Sequence, residues 1–348
     1  MSLSELLHSA SAKKFPPGTG DSPLGFKMDS AYDYYSLSKI DEDPDDLFDK
    51  TCSLFEEVRD MMESENLPQA RKTAYEEHTI DTMATMIYGS NMIEKAGSTE
   101  SITLKLCKDI FAGLTVSPEI PDNHPDYSAT HAHLIHQNLP ANHEAITRTR
   151  LEITQHATAW TYLLRSLLSG PLTESHLLTT HLILCTSLDL DDDTSASTYA
   201  GLYRLVPVCA GLSTFPPPSS VPGMMRTLVA DYNHTIHLAQ TAGSVDPFTL
   251  AAEFAHRFVN IHPFVDGNGR VCRMLMNAIL FSYTGVVVPL GVGEEGREGY
   301  LRAVVRASEG ESVREEGGKR GWAELASLLV LEGWEGVGGL RGRLRAVG

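Results

Sequence analysis

The chain has no run of about 18 apolar residues, the length a membrane-crossing helix needs. Its N-terminus, MSLSELLHSASAKKFPPG, lacks the apolar stretch of a secretory signal. Cysteine is sparse, and none of the five (Cys52, Cys107, Cys185, Cys209, Cys272) forms a CxxC pair. A disulfide framework and a zinc knuckle are therefore not expected, and a reduced intracellular setting, cytoplasmic or nuclear, is. Positive charge is also short: 28 Lys and Arg face 45 Asp and Glu, a formal net charge of −17. Nucleic acid and anionic membrane surfaces repel such a chain, so neither is an expected partner. An anionic ligand would need local arginines and a metal ion to hold it against that field.

What remains is a chain of 348 residues with 42% apolar content, enough for a packed core. Residues 1–42, rich in Ser, Pro, Gly and charge, read as a flexible arm. Asp43-Pro44 opens a helix, proline being favoured at the first helical position. Its apolar face carries Leu47, Leu54, Phe55, Val58, Met61 and Met62 in an N-terminal extension over 43–74. A second helix spans roughly 67–97. Segment 114–143, with Pro118, Pro121, Pro125, Pro140 and five histidines, reads as an irregular insertion. Helical spacing returns from Leu151, with Ile153, Ala157, Trp160, Leu164 and Leu167 on one face. Thr173 can cap the next helix, which runs through Leu177, His181 and Leu184. Segment 199–218 has the weak alternation and turn residues of a β-hairpin. Helical patterns then follow at 222–241, 247–261, 269–284, 297–308 and 320–332. The Gly/Arg-rich end, 333–348, reads as frayed. The fold class is all-α with one small β element.

Chemistry concentrates in His262-Pro263-Phe264-Val265-Asp266-Gly267-Asn268-Gly269-Arg270-Val271-Cys272-Arg273. Asp246-Pro247 opens a helix that Pro263 ends, because the residue before proline is pushed out of the α region. His262 is thus presented at a helix end. Gly267-Asn268-Gly269 can take positive φ and turn N–H groups inward, and the helix that follows is a ready anion site. Arg270 and Arg273, three apart, share one side of its first turn. A titratable base, a carboxylate, an anion cradle and two guanidiniums suit phosphoryl or nucleotidyl transfer.

This stretch resembles the Fic family motif HxFx(D/E)GNGRxxR at every specified position. The resemblance implies a mostly helical Fic fold over about 75–332 and transfer of AMP from ATP to a Ser, Thr or Tyr hydroxyl of a target protein. By the same resemblance, His262 deprotonates that hydroxyl and Asp266 binds Mg²⁺. Gly267, Asn268 and Gly269 cradle phosphates, Arg273 meets the γ-phosphate, and Arg270 supports the phosphate site. Phe264 anchors the loop in the core. Ala200-Gly201-Leu202-Tyr203-Arg204, followed by Val206-Pro207-Val208, resembles the family's flap, which pairs with the target backbone. Tyr203, Arg204, Val206 and Val208 are its expected target-binding residues. Tyr300 falls where the family often places an aromatic near the nucleotide base.

Ser90-Asn91-Met92-Ile93-Glu94 resembles the family's inhibitory motif, (S/T)xxxE(G/N), on a helix over about 80–97. Ser90 and Glu94 lie on one helix face, and the resemblance pairs Glu94 with Arg273 as an autoinhibitory contact. Lys95 departs from the motif and could compete for Glu94. Removal of AMP from modified targets and homodimerisation are further properties the family allows. A relative that moves another phosphate-containing group, or a catalytically quiet nucleotide-binding module, is the alternative reading.

Three other patterns carry less. Gly291-Val292-Gly293-Glu294-Glu295-Gly296 spells GxGxxG, yet its glutamates would face a pyrophosphate and the chain lacks alternating strands. His131, His133 and His136 lack a matching ligand set for a metal. Asp189 and Asp191 to Asp193 do not follow a calcium-loop spacing.

Overall fold

The computed structural model describes residues 2–11, 24–29, 32, 44–63, 67–190, 194–210, 213–312 and 320–347. The first elements are α1 (Leu3–Ser11), β1 (Gly25–Phe26), α2 (Pro44–Met62) and α3 (Gln69–Ile93). Next come α4 (Glu100–Phe111), α5 (Pro125–His136), α6 (His143–Ser169), α7 (Glu174–Cys185) and the short α8 (Ala196–Tyr199). The hairpin β2 (Cys209–Ala210) and β3 (Ser213–Thr214) leads into α9 (Val221–Ala242) and β4 (Ser244–Val245). The chain ends in α10 (Pro247–Ile261), α11 (Asn268–Thr284), α12 (Gly293–Ser312) and α13 (Ala323–Ala346). The expected all-α class is what the structure has, with two small two-stranded sheets among the described residues.

Helix α11 is the centre. Val271, Met274, Leu275, Ala278, Ile279 and Phe281 are all buried, and α10, α6, α3 and α7 pack around it. A helix apolar on every side has to be enclosed, and this one carries the motif arginines at its first turn. Helix starts follow local chemistry. Thr99, Asn142, Thr173 and Asp246 each accept backbone N–H bonds as N-caps, and Thr173 forms a capping box with His176. Asp43 lies outside the described residues.

Three expectations are corrected. Part of the N-terminal arm is docked: Leu3, Leu6 and Leu7 are buried, and β1 pairs in parallel with β4. The carboxylate of Asp246 also accepts the Asp29 N–H at 2.8 Å and the Tyr32 hydroxyl. Within the insertion, Pro125 starts a helix instead of breaking one, with the His124 ring capping it. The next helix accordingly begins at His143, eight residues before the periodicity suggested. The Gly/Arg-rich end is helical to Ala346, and Val337, Leu340 and Leu344 are buried against α2 and α3. Glycines dilute the pattern there, but an i, i+3, i+7 apolar row survives them.

Leu340→Ala should therefore destabilise the protein by about 2–5 kcal/mol in chemical denaturation, the cost of a buried leucine truncation. A change below about 0.5 kcal/mol, usual for surface substitutions, would mean the end of the chain adds nothing to the core.

Candidate active site

The loop between α10 and α11 places His262 beside Gly267, Asn268 and Gly269. His262 caps α10 in the left-handed region (φ 48), uncommon for a residue with a Cβ, and Pro263 prevents the helix from continuing. Its Nδ1–H donates to the Val259 carbonyl at 3.1 Å, which leaves Nε2 as the basic nitrogen. Burial lowers the His262 pKa from its ordinary value, with the Arg204 guanidinium acting in the same direction. Phe264 is fully buried, as expected. The Asn268 side chain closes the loop by accepting the Phe264 N–H and donating to the Phe264 carbonyl, both at 2.9 Å. Asn268 thus shapes the turn with its side chain.

The two glycines serve different ends. Gly267 has φ 75 and needs glycine for its conformation. Gly269 is helical, and its lack of a side chain is about space: a Cβ there would lie 2.3 Å from Glu94 Oε1 and 3.1 Å from Arg273 Nη1. Bare backbone at the start of α11 is therefore in contact with a carboxylate, the arrangement a helix N-terminus offers an anion.

Arg270 and Arg273 are almost wholly buried but do not share one anion. Arg270 Nη2 bonds Asp266 Oδ2 at 2.9 Å. Arg273 reaches back to α3: its Nε donates to Ser90 Oγ at 2.8 Å, and its Nη2 bonds the Ser90 carbonyl at 3.0 Å and Glu94 Oε1 at 2.6 Å. Burial opposes the charge on each guanidinium, and the facing carboxylates more than offset it, so both pKa values lie above the ordinary arginine value. The Ser90, Glu94 and Arg273 contact has the geometry the motif implied. Lys95 makes no ion pair with Glu94 or any other described residue. It sits instead in the left-handed region at φ 54, which explains why the motif favours Gly or Asn at that position.

Tyr300 is buried with the Arg273 guanidinium over its ring at 5.8 Å, so it packs against the arginine. Asp266 keeps a half-exposed side chain, and no cluster of three or more His, Cys, Asp or Glu ligands occurs among the described residues. A single carboxylate beside a helix N-terminus fits Mg²⁺, which is commonly held by one or two carboxylates plus substrate phosphates.

The flap is a two-residue-per-strand hairpin pairing Cys209 with Thr214 and Ala210 with Ser213; positions 211–212 of the expected 199–218 segment lie outside the described residues. Arg204 is corrected. It is 1% exposed and faces inward, so no target reaches it. Its guanidinium donates to the carbonyls of His262, Val206 and Pro216 at 2.7, 3.1 and 2.6 Å. Both legs of the flap are thereby tied to the turn that carries the base. Tyr203 is half-buried and stacks on Phe264. Val206 is exposed and Val208 half-exposed, and both lie just before the paired residues.

Several site residues were not read from the sequence. Phe215, on the second leg of the flap, stacks on His262 with centroids 3.8 Å apart. His181 stacks on Phe264 at 3.7 Å, accepts the Gly201 N–H at Nδ1 and donates from Nε2 to the Asp266 carbonyl at 3.0 Å. Burial lowers its pKa to about 4. Leu205, 89% exposed, stands beside the exposed Leu202 and Val206 at the base of the flap. His181 had only helical spacing to mark it, and Phe215 and Leu205 had no signal beyond flap position. Gly291 precedes α12 and Gly293 opens it, both at positive φ, and a Cβ on Gly291 would lie 2.4 Å from Ile93 Cδ1. The GxGxxG pattern is a packing turn against α3. No described helix is long and apolar enough to cross a membrane.

A helical protein with a histidine at a helix end beside a glycine-flanked helix start that carries two buried arginines is the class these features define. The sequence pattern of the Fic/DOC family matches residues 171–280. A Fido domain-containing protein of Dictyostelium discoideum is 39% identical over 104 residues, which is 30% of this chain and 68% of that protein. The chain belongs to the Fic/DOC family. A protein adenylyltransferase Fic of Drosophila mojavensis is 36% identical over 92 residues, 26% of this chain but only 17% of that protein. A Fic domain-containing signaling protein from Bacteroides thetaiotaomicron has the same fold, with TM-score 0.59 at 17% identity, covering 86% of this chain and 98% of the other. Fic-1 from C. elegans gives TM-score 0.57 at 18% identity over 90% of this chain and 74% of that one.

Relief of the left-handed conformation at Lys95 is worth about 1–2 kcal/mol, against about 0.5–1 kcal/mol of glycine entropy. Lys95→Gly should therefore raise stability by about 0.5–1 kcal/mol in denaturant melts. A loss of stability would show that the lysine side chain makes a contact that matters.

Proposed function

We propose that this chain is a protein adenylyltransferase. It transfers AMP from ATP to a Ser, Thr or Tyr hydroxyl of a target protein and is held in check by Glu94. The observation that carries this reading is the Glu94 carboxylate lying against Gly269 and Arg273, where a phosphate would bind, at the start of the helix that follows the loop presenting His262 Nε2. The site is built for an anion, and the chain supplies one of its own.

In the transfer, His262 Nε2 takes the proton from the target hydroxyl. The hydroxyl oxygen forms a bond to the α-phosphorus, the bond from that phosphorus to the bridging oxygen breaks, and pyrophosphate leaves. The backbone at Gly267, Asn268 and Gly269 holds phosphate oxygens, and Arg270 and Arg273 neutralise them. Asp266 is the residue that would hold Mg²⁺, which when bound supplies further charge neutralisation to the triphosphate. The flap offers its backbone edge to an extended target segment, and strand addition of this kind reads main chain more than side chain. Leu202, Leu205 and Val206 give that edge an apolar border, a role that falls to them in place of Arg204.

The chemistry is tested with Mg²⁺ and ATP labelled at either the α- or the γ-phosphate. Label should stay on protein only from the α position, rise in Glu94→Gly, and fall by at least about 100-fold in His262→Ala, the scale of general-base loss. Label from the γ position would mean phosphate transfer, and none in any form would mean a quiet module. Catalysis needs neutral His262. The rate should therefore rise with pH along a limb centred below 6.5, since burial lowers that pKa, and be flat above it. A limb centred above 6.5 would assign the base elsewhere.

A further inference from the structure

The inhibitory contact depends on where the last turn of α3 points, and α6 holds that turn. Asn91 is fully buried. Its carbonyl accepts the N–H groups of Glu94 at 3.0 Å and Ala96 at 2.9 Å, which makes it the pivot of the turn that aims Glu94. The Asn91 side chain is held in turn, since Oδ1 accepts from His156 Nδ1 at 2.8 Å. One turn earlier on α6, Glu152 Oε2 accepts the Gly97 N–H at 2.8 Å, fixing the far side of the same turn. Gly97 has φ 76, which disfavours a side chain, and a Cβ there would lie 3.1 Å from Asn91 Nδ2.

None of these α6 groups is needed for packing alone. His156 and Glu152 are polar, buried and placed one helical turn apart on the face that meets the end of α3. A buried polar group is costly unless satisfied, and each of the two places one bond on the segment that carries Glu94, His156 through Nδ1 and Glu152 through Oε2, while Glu152 Oε1 takes the Arg148 Nε–H at 3.2 Å. Burial, with Arg270 and Arg273 acting in the same direction, lowers the His156 pKa well below its ordinary value, so the ring is neutral at ordinary pH and its Nδ1–H donates to Asn91.

We propose that Asn91, His156 and Glu152 are positioning residues that hold the Glu94 carboxylate against Arg273, so that α6 sets the strength of the brake. The inference rests on the braked adenylyltransferase reading above. Without these bonds, the turn after Ile93 swings more freely, Glu94 occupies the cradle for a smaller fraction of the time, and nucleotide phosphates gain access to Arg273.

The test compares self-modification by α-labelled ATP with Mg²⁺ in the full chain and its variants, with melting temperatures measured alongside. Asn91→Ala and Glu152→Ala should each raise labelling about fivefold, the effect of one lost buried hydrogen bond on the docked state. Glu152→Gln keeps an acceptor for Gly97 and should stay near wild type. In a Glu94→Gly background, Asn91→Ala should add nothing, because there is no longer a carboxylate to position. A merely structural residue would instead lower labelling in both backgrounds along with the melting temperature, and that result overturns the proposal. If Glu94→Gly is activated while Asn91→Ala and Glu152→Ala are not, only this inference fails. If Glu94→Gly itself is no more active than wild type, the brake and this inference fall together.

Discussion

Two guanidiniums are buried at the positive end of one helix, and much of the site follows from neutralising them. Arg270 and Arg273 cannot stay charged in the interior without facing anions, because an unpaired buried charge is among the costliest features a fold can carry. The dipole of α11 adds positive potential at the same place. Asp266 answers Arg270 from within the loop. Arg273 has no carboxylate of its own there, and Glu94 is brought in from α3, 179 residues earlier in sequence. The positive potential at the start of α11 is thus what draws in Glu94.

A second constraint is positional. His262 is a left-handed residue at a helix end, a conformation that persists only when its surroundings over-determine it. Pro263 blocks helix continuation, the Phe264 and Asn268 backbone and side-chain bonds close the turn, and His181 locks the Asp266 carbonyl. Arg204 then ties both legs of the flap to the His262 carbonyl, while Phe215 lies flat on its ring. Flap and His262 form one unit, so on the proposed reading a peptide on the flap edge would be registered against His262 before any chemistry. That is where positioning has its effect on the barrier.

The sequence made the motif legible because its signals are local. Proline after histidine, glycine before a helix and arginines three apart each act within a turn or two. The Ser90, Glu94 and Arg273 contact was reached through resemblance, since nothing in spacing joins residues so far apart. Arg204 was misplaced for a related reason: a charged residue in a flap reads as exposed, and only the converging carbonyls of 206, 216 and 262 show why it is buried. Docking of Leu3, Leu6 and Leu7 was hidden by the low-complexity residues that follow them, and the final helix by glycines that weaken propensity without removing the apolar row. Asn91 and His156 carry no sequence signal at all. Their meaning comes from α3 and α6 meeting.

On the proposed reading, the brake is a competition between an intramolecular carboxylate and an intermolecular phosphate for Arg273. The released state without nucleotide is poor, because it leaves a buried guanidinium unpaired; release is therefore coupled to the arrival of an anion. Glu94 has the advantage of tethering, which gives it a high effective concentration, but its side chain is 36% exposed and its ion pair is partly screened. Left-handed Lys95 works the other way, since a freed turn sheds that conformational cost. Inhibition is thus a balance of modest opposing effects, which small changes at residues remote from the phosphates can tip. A steric plug would respond only to its own removal.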